Sequence, residues 1–215
     1  MPKTEPVVTF ARLIHLTDMT SFWILLLAMA VYGAIHSLLA AHTVKAAAER
    51  VFGAGVKRWY RLAYNLVAGV TLLPVLALAA LLPDRLLWSI PMPWVLLTLA
   101  VQAAAGLGML FGLRQTGTGE FLGLEQVREP AAPSAPPALN TGGLYRLMRH
   151  PIYSASMLIL WLLPMMTLNL LALNVGITLY FIVGSILEER KLLKEFGPAY
   201  AEYRRRTPMF VPKFW

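Results

Sequence analysis

The sequence predicts an all-α integral membrane protein, and three observations lead to that class. The chain is 58% hydrophobic and only 14% charged, with a mean hydropathy of +0.61, which separates it from ordinary soluble domains. Its apolar residues gather in stretches of about 20, the length that crosses the hydrocarbon core of a bilayer. Its basic residues gather in a few loops, as expected from the positive-inside rule. With 215 residues, we expect one small domain whose surface faces mostly lipid.

Five apolar segments are predicted to be transmembrane helices. The fourth begins at Pro151, because proline fits the first turn of a helix, where its missing N–H costs nothing. Pro164 ends or kinks that helix, so the fourth and fifth segments should form a hairpin. The predicted segments are Ser21–Ala41, Arg61–Leu82, Trp94–Leu113, the segment from Pro151 to Pro164, and about Leu170–Leu187.

The segments outside the membrane complete the predicted organisation. Residues 43–60 should form a basic interfacial helix and a loop. Residues 114–142 form a long polar loop whose centre, 129–137, is a proline-alanine tether with no reason to fold. We therefore divide the chain into an N-terminal membrane region (1–113), a cytoplasmic loop (114–142) and a C-terminal hairpin with its tail (143–215).

The distribution of positive charge predicts the topology. If the loops at 42–61 and 114–150 and the tail from Glu188 share one side, that side holds sixteen of the nineteen basic residues. The other side keeps only Lys3, Arg12 and Arg85. The positive-inside rule places the first group in the cytoplasm, which gives an outside N-terminus and a cytoplasmic C-terminus.

Composition also excludes several kinds of chemistry. The chain has no cysteine, so it has no disulfides, thiolate metal sites or cysteine nucleophile. The net charge of +8 could indicate nucleic acid, but in a membrane protein the cytoplasmic bias of lysine and arginine explains it better. We predict contact with membrane lipids, no nucleic-acid partner and no metal site.

Two polar clusters border the last two predicted helices and are the candidate site. His150 and Tyr153 are three residues apart and share one face of a helix, and Tyr145 and Arg149 are paired in the same way on a predicted short helix before it. A helix starting at Pro151 also presents free backbone N–H groups that favour an anion. The hairpin should bring these residues to the same membrane face as Glu188 and Glu189. The candidate site residues are Tyr145, Arg149, His150, Pro151, Tyr153, Glu188 and Glu189.

Residue types alone leave the ligand of these clusters open. Glu188 and Glu189 could bind a cationic ligand, or they could pair with Arg190, Lys191 and nearby arginines. His36, inside the first predicted span, is either a functional group or a neutral histidine that is hydrogen-bonded to a neighbouring helix.

The motifs themselves resemble a known superfamily. Leu-Tyr-Arg-x-x-Arg-His-Pro-Ile-Tyr at 144–153 is followed by Glu-Glu-Arg-x-Leu-x-x-x-Phe-Gly-x-x-Tyr-x-x-Tyr at 188–203. Two such motifs in this order resemble the isoprenylcysteine carboxyl methyltransferase and phospholipid methyltransferase superfamily. Residues 36–40 and 60–66 resemble its NnrU branch. Residues 113–115, 161–167 and 208–209 are similar to bacterial methanethiol S-methyltransferases, which implies a bacterial inner membrane as the location.

The resemblance implies S-adenosylmethionine bound at the cytoplasmic end of the last two helices. It carries the Arg-His-Pro-x-Tyr motif onto Arg149, His150, Pro151 and Tyr153, and the acidic pair onto Glu188 and Glu189. It implies methyl transfer to a small thiol or a lipid-soluble acceptor, with S-methylation favoured and the catalytic residues unknown. The alternative is a non-enzymatic NnrU-like membrane protein of nitrogen-oxide metabolism, with haem on His36 or His150.

Overall fold

The computed structural model describes residues 5–128 and 139–213, which are mostly helical, and it confirms the all-α class. A short two-stranded sheet and a 3-10 turn at Gly143–Arg146 complete the described secondary structure. The elements in chain order are α1 (Glu5–Leu39), α2 (His42–Phe52), α3 (Val56–Leu81), β1 (Leu86–Ser89), α4 (Trp94–Gln115), α5 (Thr118–Leu122), α6 (Leu124–Arg128), α7 (Pro151–Trp161), β2 (Met165–Thr167), α8 (Leu168–Phe196) and α9 (Pro198–Arg206).

Four helices of the described chain are long and apolar enough to cross a membrane. They are α3, α4, α8 and the part of α1 from Met19 to Leu39, and they correspond to four of the five predicted segments. The chain is therefore an integral membrane protein. The helix α1 begins earlier than the predicted span, at Glu5, and α8 continues without interruption past Glu188 to Phe196.

The fourth predicted span is not a full-length helix. With 11 residues α7 is about 16 Å long, roughly half the thickness of a hydrocarbon core. It ends at Trp161, before Pro164, and the chain continues in extended form as β2, which pairs with β1. The helix and the strand together cross from one end of the bundle to the other. The predicted hairpin therefore forms, but its first half consists of α7 followed by β2.

The helices pack as two groups. In the first, α1 lies beside α3 and runs parallel to α8, and its core is the buried cluster Leu25, Met29, Val75, Ala172 and Leu173. In the second, α7 runs antiparallel along α4: Ile152 packs against Gly112, and the Gln102 amide donates to the Ile159 carbonyl at 2.7 Å.

The two groups are joined at the end of the bundle where β1 and β2 pair. The Ile90 N–H donates to the Pro164 carbonyl at 2.8 Å, and the Leu168 N–H donates to the Arg85 carbonyl at 3.0 Å. The buried Asn169 amide donates to the carbonyls of Ala79 and Leu82, both at 3.2 Å. This joint, formed by β1, β2 and the start of α8, was not predicted, because the sequence signals only turns there.

Part of the polar loop is folded against α3. The Arg58 Nε donates to the Val127 carbonyl at 2.7 Å, and the Asn65 amide donates to the Leu122 carbonyl at 3.1 Å. Between them Gly123 has φ +85°, and a Cβ there would lie 2.7 Å from the Leu62 nitrogen. The glycine thus permits close contact between the α5–α6 segment and α3. The predicted proline-alanine tether, 129–137, lies outside the described residues.

Candidate active site

The C-terminal tail lies against the segment that leads into α7 and fixes its backbone. The Arg149 N–H donates to the Pro208 carbonyl at 2.9 Å, and the His150 N–H donates to the Met209 carbonyl at 3.1 Å. The prediction that Tyr145 and Arg149 lie on one short helix is wrong, because the 3-10 turn ends at Arg146. The backbone here is instead held by strand-like pairing with the tail.

A buried ion pair joins this segment to α8. The Arg149 Nε lies 2.6 Å from Glu189 Oε1, and the two side chains are 10% and 5% exposed. The Arg149 guanidinium also donates to the Arg204 carbonyl at 3.0 Å and to the Thr207 carbonyl. Arg149 thus connects α8, the end of α9 and the tail, so the pairing expected for one of the two glutamates is observed.

His150 is buried between the two glutamates and an aromatic wall. Its Nε2 lies 3.3 Å from Glu189 Oε1, and its Nδ1 lies 3.9 Å from Glu188 Oε2. Its ring is parallel to that of Tyr153, with 5.5 Å between the ring centroids, as expected for residues three apart on a helical face. The carboxylates and the stacked ring together hold the imidazole in one orientation.

Glu188 is the accessible acid of the site. Its side chain is 48% exposed, and its Oε2 accepts a hydrogen bond from the Tyr153 hydroxyl at 3.3 Å. The Tyr153 ring stacks on Phe181 of α8, with centroids 4.8 Å apart. An exposed carboxylate held by a packed tyrosine can accept further hydrogen bonds from a cationic ligand.

Tyr145 and Pro151 frame the cluster. The Tyr145 carbonyl accepts a hydrogen bond from the Tyr203 hydroxyl at 2.6 Å. Burial, together with the nearby negative charge of Glu188, raises the pKa of Tyr145 to about 12, so its phenol stays neutral. Pro151 is buried at the first turn of α7, where the N–H groups of Ile152 and Tyr153 have no acceptor within the helix. All seven predicted site residues therefore meet at one end of α7 and α8.

A second polar cluster adjoins the site and was only partly predicted. His36 of α1 contacts Tyr64 of α3 through a hydrogen bond between Nε2 and the hydroxyl, and its ring packs against Tyr32 and Tyr180. Tyr180 in turn contacts Phe181, which stacks on Tyr153. The sequence indicated His36 as a polar group in a span, but its partners come from other helices and no local pattern marks them. Of the two roles considered for His36, the structure shows the hydrogen bond to a neighbouring helix.

The folded part of the polar loop lies against α3 and beside a cavity. The α5–α6 segment contacts α3 through Arg58, Asn65 and Gly123, and Gln126 of α6 lines a cavity of about 430 Å³ beside α2. A larger cavity of about 820 Å³ lies between the 3-10 turn and α9 and includes Leu147 and Thr207. Thr207 also accepts from Arg149, so this cavity borders the back of the candidate active site.

The fold and site define an integral membrane protein with a charged, aromatic-walled cluster at one end of its bundle. Residues 120–207, which contain the entire cluster, match a family described as a protein of unknown function, DUF1295. No solved structure matches the chain.

Characterised relatives give the more specific comparison. The chain is 32% identical to methanethiol S-methyltransferase 1 of Bradyrhizobium diazoefficiens over 87% of its own length and 65% of that protein's. It is 29% identical to methanethiol S-methyltransferase of a Pseudomonas species, over 59% of the chain and 50% of the relative. For the enzyme of that name in Crocosphaera subtropica the identity is 35%, over 48% of the chain and 37% of the relative. The chain thus spans less than two thirds of the length of these relatives, and the predicted resemblance to methanethiol S-methyltransferases is confirmed.

Proposed function

We propose that this protein is an S-adenosylmethionine-dependent membrane methyltransferase that methylates the sulfur of a small thiol. The observation that carries the proposal is the convergence of His150, Tyr153 and Glu188 within the region that matches the family. The names of the relatives support a thiol acceptor.

The site residues fit the charged ends of S-adenosylmethionine. The amino-acid part of this molecule carries an ammonium and a carboxylate. Glu188 is exposed, lies beside Tyr153 and suits the ammonium or the ribose diol. The free N–H groups at the start of α7, next to His150, suit the carboxylate. Arg149 and Glu189 are committed to each other, so we assign them to holding the site together rather than to contacting the cofactor.

The protein's contribution to the reaction is binding, orientation and exclusion of water. When bound, S-adenosylmethionine supplies an electrophilic methyl group for direct transfer to the thiol sulfur. Tyr153 holds the Glu188 carboxylate by its hydroxyl, and His150 is fixed by Glu189 and by ring stacking. A preorganised, partly dry site of this kind favours alignment of donor and acceptor, which is where most of the rate of such a displacement arises.

Location and organisation belong to the same proposal. We place the protein in a bacterial inner membrane, with the candidate active site and the C-terminus in the cytoplasm and the N-terminus outside. Residues 143–215 would form the cofactor-binding hairpin, 1–113 the supporting membrane region, and 114–142 the cytoplasmic loop. The similarity to bacterial enzymes and the clustering of basic residues support this arrangement.

The first prediction tests the cofactor. Purified protein in detergent should bind S-adenosylmethionine in calorimetry and transfer its methyl group to methanethiol. Glu188→Gln should weaken cofactor binding by about 1.5–3 kcal/mol, roughly 10- to 150-fold, because a charge-assisted hydrogen bond is lost. The matched control is Glu195→Gln, an exposed residue of the same helix outside the cluster. Absence of cofactor binding by the wild type, or equal losses in both variants, would contradict the proposal.

A further inference from the structure

One glycine of α8 leaves open space beside the candidate active site. Apart from its chain neighbours and the backbone of its own helix, a Cβ at Gly184 would meet no heavy atom of the described residues within 4 Å. The position is nevertheless partly buried. Close helix packing does not explain this glycine, as it does two others: a Cβ at Gly33 would lie 3.2 Å from Tyr180, and one at Gly176 would lie 2.8 Å from Met29.

The open space lies between the two polar clusters of the protein. Tyr180, Gly184 and Glu188 are four residues apart and share one face of α8, with about 6 Å between successive positions. At Tyr180 this face meets His36 of α1, with 5.8 Å between the ring centroids. At Glu188 it meets the hydroxyl of Tyr153 of α7. We call this space the Gly184 recess, and it lies one helical turn from each cluster.

The Gly184 recess opens between the two helix groups. Tyr180 packs on α1, whereas the next residue, Phe181, stacks on Tyr153 of α7. Gly184 points between these two directions, because four residues of an α-helix turn by about 400°. Since α1 runs parallel to α8, His36, one turn beyond the point where α1 meets Tyr180, lies nearly level with Gly184.

The surroundings of the Gly184 recess suit a small, uncharged sulfur compound. Sulfur makes favourable contacts with aromatic rings at a distance of about 5 Å, and the rings of Tyr153 and Tyr180 lie on either side of the recess. His36 and Tyr64 satisfy each other through their hydrogen bond, so they place a neutral polar pair beside it. Because only a side chain is missing, the space accepts a few heavy atoms and no long chain.

We propose that the Gly184 recess binds the thiol acceptor, and that the missing side chain at this position limits the size of the acceptor. The inference rests on the proposed function, which assigns Glu188 to the cofactor. A thiol between Tyr153 and Tyr180 would lie next to that cofactor, on the side facing α1. Donor and acceptor would then adjoin along one face of α8, as a direct displacement requires.

The first test needs no cofactor. The chain has no cysteine, so Gly184→Cys introduces a single reactive thiol into the recess. The full chain in detergent is treated with methyl methanethiosulfonate, with and without dimethyl sulfide, the thioether that methylation of methanethiol yields. We expect dimethyl sulfide to slow labelling of Gly184→Cys several-fold and to leave Gly69→Cys unaffected. Gly69 is the matched control, because it also adjoins open space but lies exposed on α3.

The second test fills the recess. Gly184→Leu should lower kcat/KM for methanethiol by about tenfold or more, because the leucine side chain occupies the space of the acceptor. Binding of S-adenosylmethionine, measured by calorimetry, should stay within about twofold of wild type. The unfolding temperature should not fall, since leucine favours a helix more than glycine does. Gly69→Leu should change neither turnover nor cofactor binding.

The outcomes separate this inference from the proposed function. Labelling of Gly184→Cys that dimethyl sulfide does not slow, or that it slows no more than at the control position, overturns the recess as a thiol site. Lost cofactor binding in Gly184→Leu would assign the recess to the cofactor, and unchanged methyl transfer would leave the acceptor elsewhere; both overturn the inference. A wild type that binds no S-adenosylmethionine contradicts the proposed function, and the labelling result then decides the recess alone. If Gly184→Leu does not fold, Gly184→Ala decides: a lowered kcat/KM supports the inference and an unchanged one overturns it.

Discussion

At the scale of single residues, the adjacent acids Glu188 and Glu189 have different environments. Glu189 is buried against Arg149 and His150, whereas Glu188 is half exposed and accepts from Tyr153. Neighbouring positions on a helix point about 100° apart, so one faces the packed segment before α7 and the other faces the open side. Glu189 and Arg149 therefore stabilise the site, and Glu188 is left available to a ligand.

Arg149→Gln should destabilise the fold rather than only weaken binding. It would leave the Glu189 carboxylate buried without its cation, at a cost of about 3–5 kcal/mol. Denaturant unfolding in detergent measures this, and Arg190→Gln, at the exposed neighbour of Glu189, is the control. A variant as stable as the wild type would show that the ion pair does not hold the segment.

The raised pKa of Tyr145 predicts a loss of stability at high pH. Its phenol ionises near its usual pKa of about 10 in the unfolded chain but only at about 12 in the fold. Above pH 10 the unfolded state loses this proton first, so stability is full below pH 10 and falls between pH 10 and 12. Tyr145→Phe should flatten this part of the stability curve, measured by unfolding at fixed pH values. An unchanged curve would assign the alkaline loss to other groups.

The sequence predicted the membership of the candidate site better than the partners within it. The hairpin and the helical spacing were enough to bring His150 and Tyr153 to Glu188 and Glu189. The hairpin and the spacing could not show that Arg149 pairs with Glu189, since this ion pair depends on hydrogen bonds between the tail and the backbone of Arg149 and His150. Contacts between segments far apart in the chain leave no periodic signal.

At the scale of elements, the α5–α6 segment depends on one glycine. Gly123→Ala should detach it from α3, because alanine at φ +85° costs about 1–2 kcal/mol and its Cβ would meet the Leu62 backbone. Hydrogen exchange should then become faster in residues 118–128. Gly55→Ala is the control, since open space surrounds that position. Equal exchange in wild type and Gly123→Ala would show that the contact is not needed.

The elements that sequence reasoning missed share a physical cause. The folded segment within the polar loop is held by Arg58, Asn65 and the close approach at Gly123, which are contacts to a distant helix. The truncation of α7 at Trp161 follows from β2 pairing with β1. Hydropathy measures how long an apolar stretch is, but it does not say whether that stretch stays helical.

At the scale of the whole molecule, topology is the property to test. A reporter fused to the C-terminus should be active only in the cytoplasm, and one fused to the N-terminus only outside, because sixteen of the nineteen basic residues then lie inside. Fusions in the 82–93 turn serve as an internal control and should behave like the N-terminus. Both ends on one side would require the α7–β2 arm not to cross the membrane.

The joint between β1 and β2 connects the two helix groups at one end of the bundle, opposite the candidate active site. Both chain crossings between the two helix groups, α3 to α4 and α7 to α8, pass through it. Glu188 lies twenty residues along α8 from the joint, a lever arm of about 30 Å, so a rotation of roughly 5° separates the far tips by about 2.6 Å. The candidate active site lies between those tips. A change in the angle between the two helix groups would therefore displace the end that holds the candidate active site the most. Under the proposed function, this is the end where a thiol would enter and the methylated product would leave.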